Sequence, residues 1–238
     1  MPYGSWCLDS RDWDSGPGIE PGAVKAFCDL VLSSNAFPLA RAHLQRLRGK
    51  GVSLKRIYLE LLAPVARELG HGWDTDKLSF AEVTHGLLVL QSLLQDLSAE
   101  THAHSDHRAD ANTAIFVPGS GSYHTFGMLM VAEFFRMDGW TVWADPQATL
   151  KETLTHVAEQ PFDVIGFSLG SEQVVDRTRV AIAEVRKRSL NRSIRVLVGG
   201  AVFASNPSLA RSLDADALAL DAGDAVRKAR EQVALAQH

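Results

Sequence analysis

His124 lies in the segment Ser122-Tyr123-His124-Thr125-Phe126-Gly127, between the apolar run Thr113 to Val117 and a helical pattern from Met128 to Met137. An imidazole at a strand-to-helix turn can reach past the carboxyl edge of a sheet, where a ring nitrogen can ligate a metal. Gly127, three residues on, leaves room for a large ligand to approach the backbone. Two more turns follow apolar runs, Gly166-Phe167-Ser168-Leu169-Gly170 and Gly199-Gly200. The three turns together predict a ligand crevice along one edge of one sheet. A turn histidine on its own also fits a purely structural role. In the other half of the chain, Trp73 is preceded by Leu69-Gly70-His71-Gly72 and followed by Asp74-Thr75-Asp76-Lys77-Leu78. By itself it also fits an indole in a helical core.

These residues need elements to hold them. Strand-like runs at 113–118, 141–145, 163–168, 194–199 and 216–220 alternate with helical patterns at about 125–137, 148–159, 172–189, 206–213 and 223–236. That alternation predicts an α/β domain over 113–238, with a doubly wound, five-stranded parallel sheet of flavodoxin-like type. Residues 20–104 are helical in pattern throughout. Val24, Phe27, Cys28, Val31 and Leu32 recur at three-four spacing, as do Leu39, Leu44 and Leu47 ahead of Gly49. Ser53 can cap a third helix running through Leu69, with Pro64 expected to kink it. Ser79-Phe80-Ala81-Glu82 is a capping box opening a fourth, so a four-helix bundle is predicted. Residues 1–19, with Trp6 and Trp13, read as a flexible arm. The polar stretch 105–112 reads as a linker, and the histidines at 102, 104 and 107 read as solvated residues around it.

Composition narrows the classes. The chain has 238 residues, 46% of them hydrophobic and 22% charged, with a formal charge of −4. This balance offers no global case for nucleic-acid binding. Cys7 and Cys28 are the only cysteines, with no CxxC spacing, so neither a disulfide framework nor a thiolate metal site is indicated. No apolar run reaches the ~18 residues of a membrane span and no signal-peptide pattern opens the chain, so a cytoplasmic protein without membrane contact is expected.

The three turns resemble the cobalamin-binding fold, whose pattern is Asp-x-His-x-x-Gly, then Ser-x-Leu, then Gly-Gly. The resemblance implies that His124 is the lower axial cobalt ligand and that Ser122, Tyr123, Thr125, Phe126 and Gly127 lie under the corrin. It implies further that Ser168, Leu169, Gly170, Gly199 and Gly200 enclose the nucleotide tail. Ser122 replaces the family's aspartate, which weakens the support behind the histidine. Gly170 stands where the family has leucine. The helical half is similar to the four-helix cap of cobalamin-dependent methyltransferases and light-sensing regulators, in which a tryptophan precedes Glu-His by ten and eleven residues. Here Trp73 is followed at those positions by Val83 and Thr84, and His85 stands one residue late, about 100° further round the helix.

The segment from Trp73 to Thr84, joined to the His124 motif, resembles the AerR/PpaA family of photosystem antirepressors over residues 20 to 236. This implies a light-responsive regulator that is not an enzyme, binds adenosylcobalamin or hydroxocobalamin and acts through a DNA-binding repressor protein, with DNA contact within that complex. His85, then His71, are the expected candidates for an upper ligand after photolysis. Haem is the alternative tetrapyrrole, as a redox sensor, and a corrinoid carrier for a methyltransferase is the alternative role. Arg41, Arg46, Arg48, Lys50, Lys55 and Arg56 form a basic cluster expected to meet the regulator or the DNA beside it, unless they are only a solvated face.

Overall fold

Hydrophobic runs of two periodicities fold into two compact units, divided between Leu97 and Ser98. The structure is a computed structural model and describes residues 17–102, 111–119 and 125–236. The arm and most of the linker expected at 105–112 lie outside that range.

The N-terminal unit is helical: α1 (Ala23–Val31), α2 (Ala36–Gly49), α3 (Leu54–Arg56), α4 (Ala63–Asp74) and α5 (Phe80–His102). Its core is built from the three-four repeats, with Phe27, Val31, Leu44, Ile57, Leu61, Val65, Leu69, Leu90 and Leu94 all buried. Ser53 caps α3 by accepting from the Arg56 N–H at 3.3 Å. The kink expected at Pro64 takes another form. A π-helical turn, Ile57–Leu62, joins α3 to α4, and the backbone keeps right-handed helical angles through Leu62 and Ala63. Pro64 lacks an N–H and crowds the carbonyl one turn back, and the widened turn absorbs that misfit. The Ser79 capping box forms as expected: the Ser79 N–H donates to the Glu82 carboxylate at 2.8 Å, and the Glu82 N–H donates to Ser79 Oγ at 3.3 Å. The Ser79 hydroxyl, which donates to the same carboxylate at 2.6 Å, and the Ser79 N–H together hold the Glu82 carboxyl below the usual range. Gly86 lets α5 press close to α4 and α1, since a Cβ there would lie 2.8 Å from the Leu69 side chain and 3.4 Å from Leu32.

The second unit is a five-stranded, wholly parallel sheet: β1 (Thr113–Pro118), β2 (Thr141–Ala144), β3 (Val164–Ser168), β4 (Arg195–Gly199) and β5 (Ala217–Ala219), in the order β2-β1-β3-β4-β5. Its helices are α6 (Phe126–Met137), α7 (Leu150–Glu159), α8 (Val175–Arg188), the short α9 (Val202–Ser205) and α10 (Ala222–Ala236). The helix expected at 172–189 begins as the 3-10 turn Glu172–Val174, and that at 206–213 is the 3-10 helix Pro207–Leu213. Ala114, Ile115, Phe116 and Val117 are buried in succession, as befits a parallel strand covered on both faces. Gly166 sits within β3 opposite Phe116, and the phenyl ring fills the space its Cβ would take, only 2.5 Å away. Phe116 in turn packs edge-on against Phe135 at 4.7 Å. At the amino edge, Asp163 accepts from the Thr113 N–H at 2.7 Å and fixes the register of β1 against β3.

Candidate functional site

Strand order reverses direction at β1: the chain leaves β1 for β2 on one side and returns to β3 on the other. In open α/β sheets the loops part at such a point and leave a crevice beyond the carboxyl ends of the strands. The segment carrying His124 joins β1 to α6 at this place. Ser122, Tyr123 and His124 themselves lie outside the described residues.

Backbone knits the floor of the crevice. Beyond the strand ends, the Gly119 N–H donates to the Ser168 carbonyl at 2.7 Å, Leu169 N–H to the Gly199 carbonyl at 2.8 Å, and Val202 N–H to the Leu169 carbonyl at 3.4 Å. Three connections are thus tied side by side. The glycines permit it. Gly200 has φ +116°, and a Cβ there would fall 2.3 Å from the Leu169 carbonyl oxygen. A Cβ on Gly199 would lie 3.0 Å from the Ala219 carbonyl oxygen, and one on Gly119 3.2 Å from that of Ser168. Gly199 and Gly200 therefore serve the fold before they serve any ligand. The Leu169 side chain is fully buried in the domain core, so its place at the crevice is taken by its backbone alone.

Other members of the motif have no such duty. Gly127 is exposed in the first turn of α6, and a Cβ there would meet nothing within 4 Å among the described residues. Neither its backbone angles nor packing among the described residues demands glycine. Thr125 precedes α6 with right-handed helical angles, and Phe126 is buried beneath the helix. Ser168 is partly exposed at the end of β3, and its hydroxyl has no hydrogen-bond partner among the described residues. Gly170 follows, also partly exposed. Open space at Gly127 and a spare hydroxyl at Ser168 fit a large ligand with polar appendages.

The residues expected in the helical unit are placed as follows. Trp73 is 49% exposed and meets Phe80 edge to face, ring centroids 6.1 Å apart; it is not an indole of the core. Val83 is half-buried and Thr84 exposed. His85 is exposed with Nε2 3.4 Å from the Ser33 carbonyl oxygen, so its imidazole leans toward the end of α1. His71 is exposed near the end of α4. Among the described residues no group of three His, Cys, Asp or Glu side chains could hold a metal ion. The basic cluster is partly neutralised: Arg41 pairs with Asp96 at 2.7 Å and Arg56 with Glu60 at 3.6 Å. Arg46, Arg48 and Lys50 remain exposed at the end of α2. There, desolvation together with Arg46 and Lys50 lowers the His43 pKa.

Several residues that shape these places were not singled out from the sequence. Gly119, directly after β1, is one. Gly72 is another, because the Leu78 side chain fills the space its Cβ would need, 2.6 Å away. In the sequence Phe80 reads as part of a capping box and of the Trp73 to Thr84 segment, and its ring contact with Trp73 is seen only in the structure. A cavity of about 260 Å³ lined by Asp163, Asn191, Ser193 and Arg195 lies at the opposite, amino edge of the sheet.

Comparison with known proteins agrees with this geometry. Residues 113–230 match the B12 binding domain model. A Rhodobacter capsulatus protein, described as an uncharacterized 20.5 kDa protein in the bchF-crtJ intergenic region, is 28% identical over 176 residues, covering 73% of this chain and 90% of its own. In structure, the monomethylamine corrinoid protein of Methanosarcina barkeri superposes with a TM-score of 0.73 at 15% identity, over 88% of this chain and 97% of that one. At that identity the likeness speaks to the fold. The family resemblance read from the sequence is thereby borne out. No helix among the described residues is long and apolar enough to cross a membrane.

Proposed function

The chain belongs, through residues 113–230, to the B12-binding-domain family, and on that footing we propose that it is a cobalamin-binding, light-responsive regulator acting through a DNA-binding repressor of photosynthesis genes. The observation that carries the reading is the β1/β3 strand-end crevice, where backbone hydrogen bonds tie Gly119, Ser168, Leu169, Gly199 and Val202 into a floor and the Ser168 hydroxyl is partly exposed. In this reading His124 would hold the metal, and with Ser122 where the family pattern has a carboxylate it would do so more weakly. Ser168 and the main chain at Leu169, Gly199 and Gly200 receive the nucleotide tail. By the family resemblance Trp73 would select the upper substituent, and Val83 and Thr84 would supply no ligand to it. Cobalamin, when bound, supplies a cobalt centre whose upper bond light can break. The bchF-crtJ location in the name of the Rhodobacter capsulatus relative supports the regulatory side of the reading.

The fold shared with the monomethylamine corrinoid protein favours a second reading, a carrier of corrinoid for methyl transfer. One spectrum separates the readings. Protein reconstituted with adenosylcobalamin is expected to show bound cobalamin in the dark and a stable change of spectrum after illumination. Methyl transfer to the bound cobalt, without any light-dependent change, would favour the carrier instead. A Soret band with haem and no binding of cobalamin would overturn both.

A further inference from the structure

Between Glu184 and Asp214 there is no aspartate or glutamate, while Arg186, Lys187, Arg188, Arg192, Arg195 and Arg211 are all basic, in a chain whose formal charge is −4. Neighbouring carboxylates neutralise some of them. Arg188 pairs with Glu184 at 3.0 Å, and Asp216 is shared by Arg186 at 3.0 Å and Arg195 at 3.5 Å. Lys187 and Arg192 are exposed and have no carboxylate partner among the described residues. Arg192 instead folds back over the end of α8, its Nη1 donating to the Lys187 carbonyl. Two unpaired cations thus share one helix end, an arrangement that is relieved when an anion comes between them.

The turn from α8 to β4 that carries these charges is firmly built. The Leu190 N–H donates to the Val157 carbonyl at 2.7 Å, the Asn191 amide to the Phe162 carbonyl at 3.0 Å, and the Ser193 N–H to Asn191 Oδ1 at 2.9 Å. In this fixed turn the Leu190 side chain is 57% exposed. Next to it in the chain, Asn191, Ser193 and Arg195 line the amino-edge cavity of about 260 Å³, whose remaining walls are Asp163, Val233 and Ala236. The Asp163 carboxylate is already engaged by the Thr113 N–H and hydroxyl, at 2.7 and 3.0 Å. Arg195 Nε is buried with no hydrogen-bond partner. An outward leucine, a hollow with an apolar wall and a surround of cations, arginine above all, is the anatomy of a protein interface. A phosphate backbone would be held by the cations alone and has no use for the leucine. A membrane would call for a much wider apolar face.

We propose that the amino edge of the α/β unit, from Lys187 to Arg195, is a docking site for an acidic segment of a partner protein. Leu190 and the hollow beside it take an apolar side chain of that segment, and Lys187 and Arg192 take its carboxylates. The site lies at the edge of the sheet opposite the β1/β3 crevice and does not depend on the cobalamin reading.

Full-length wild type, the double variant Lys187→Glu with Arg192→Glu, and Leu190→Ser are titrated against a fluorescein-labelled peptide of alternating glutamate and leucine. Anisotropy is read at about 50 mM and about 300 mM salt. A glutamate-glycine peptide, duplex DNA of random sequence and vesicles of anionic phospholipid are run beside it, and the triple reversal of Arg46, Arg48 and Lys50 to glutamate serves as a control on the other unit. Lys187, Leu190 and Arg192 are exposed, so the variants should melt with the wild type. The wild type is expected to bind the glutamate-leucine peptide, and less tightly at the higher salt. The double reversal should weaken it roughly tenfold or more, and Leu190→Ser, or glycine for the peptide's leucines, roughly threefold or more. The control should bind as the wild type does. Absence of binding by the wild type, or equal binding by the wild type and both α8–β4 variants, would overturn the proposal. So would tighter binding of the DNA or of the vesicles that the double reversal abolishes, since the face would then belong to a nucleic acid or a membrane.

Discussion

Gly127 and Gly200 belong to the same sequence motif, and the structure assigns them opposite duties, which a pair of alanine substitutions can separate. At Gly200, φ is +116° and an added Cβ would fall 2.3, 2.8 and 2.9 Å from the Leu169 backbone O, N and C. Such contacts cannot be relieved by a rotamer change, because every atom struck is main chain. Gly200→Ala must therefore take up strain of ~1–3 kcal/mol. It must also shift Leu169, whose N–H bond to Gly199 is 2.8 Å long, and an amide left unpaired adds ~1–3 kcal/mol. The sum, roughly 2 to 6 kcal/mol, is a large part of a typical folding free energy. At Gly127 the added methyl meets nothing within 4 Å among the described residues, on a helical backbone. Gly127→Ala should stabilise by about 0.5 kcal/mol through the unfolded chain. Thermal melts by circular dichroism should show Gly200→Ala lowered by on the order of 10 °C and Gly127→Ala unchanged or slightly raised. Cobalamin titration should show the reverse order of damage for Gly127→Ala, which folds well but binds at least tenfold more weakly, about 1.4 kcal/mol. A Gly200→Ala protein that melts with the wild type, or a Gly127→Ala protein that is as unstable as Gly200→Ala, would refute the assignment.

Removing the imidazole in His124→Ala should weaken cobalamin at least tenfold, about 1.4 kcal/mol, and shift the visible spectrum while leaving the melt unchanged; an unaltered spectrum would exclude it as the lower ligand. Reversing Arg46, Arg48 and Lys50 to glutamate, rather than the paired Arg41 or Arg56, should abolish salt-sensitive binding to the regulator without touching the cobalamin spectrum. A pull-down at physiological salt checks this, and retained binding would place the output elsewhere. Asp224 tests the acid side of stability. Burial pushes its carboxyl up, but hydrogen bonds from Lys228, the Leu220 N–H and Arg227 outweigh that and hold it below the usual range. Its depressed value means that the ionised form stabilises the fold at neutral pH and that this contribution is lost as pH falls through the folded pKa, below about 4. Asp224→Asn should therefore lower the melt at pH 7 and make little difference in strong acid, and equal losses at both would contradict the linkage.

Most of the architecture was legible in the sequence because each element was specified locally. Runs such as Ala114 to Val117 and Val164 to Phe167 are apolar without alternation, which only a two-faced parallel strand needs. Ser79 with Glu82 is a complete helix start in four residues. What the sequence left obscure depends on distance across the chain. Nothing local shows that Gly166 makes room for Phe116, some fifty positions away, or that Gly200 is pressed against Leu169. The same holds for Trp73, whose apolar type suggests a core until Phe80 and the folded-back Leu78 are seen to hold it outward. Pro64 misled in a milder way, since proline rules foresee a bend and do not foresee that one widened turn will absorb it. The candidate site followed the same division: its motif residues could be marked, while the split between those that serve the fold and those left open for a ligand could not.

The rungs that join Gly119 to Ser168, Leu169 to Gly199 and Val202 to Leu169 are all main chain. A binding floor made in this way has no side chains to replace, so most substitutions along it are invisible to whatever rests on it. Sequence can drift there while shape does not, which suits a superposition of 0.73 in TM-score retained at 15% identity. Diversification is then pushed to the rim: new ligands or outputs must come from the loops above the floor, and the few glycines that let the rungs form are the positions where drift stops.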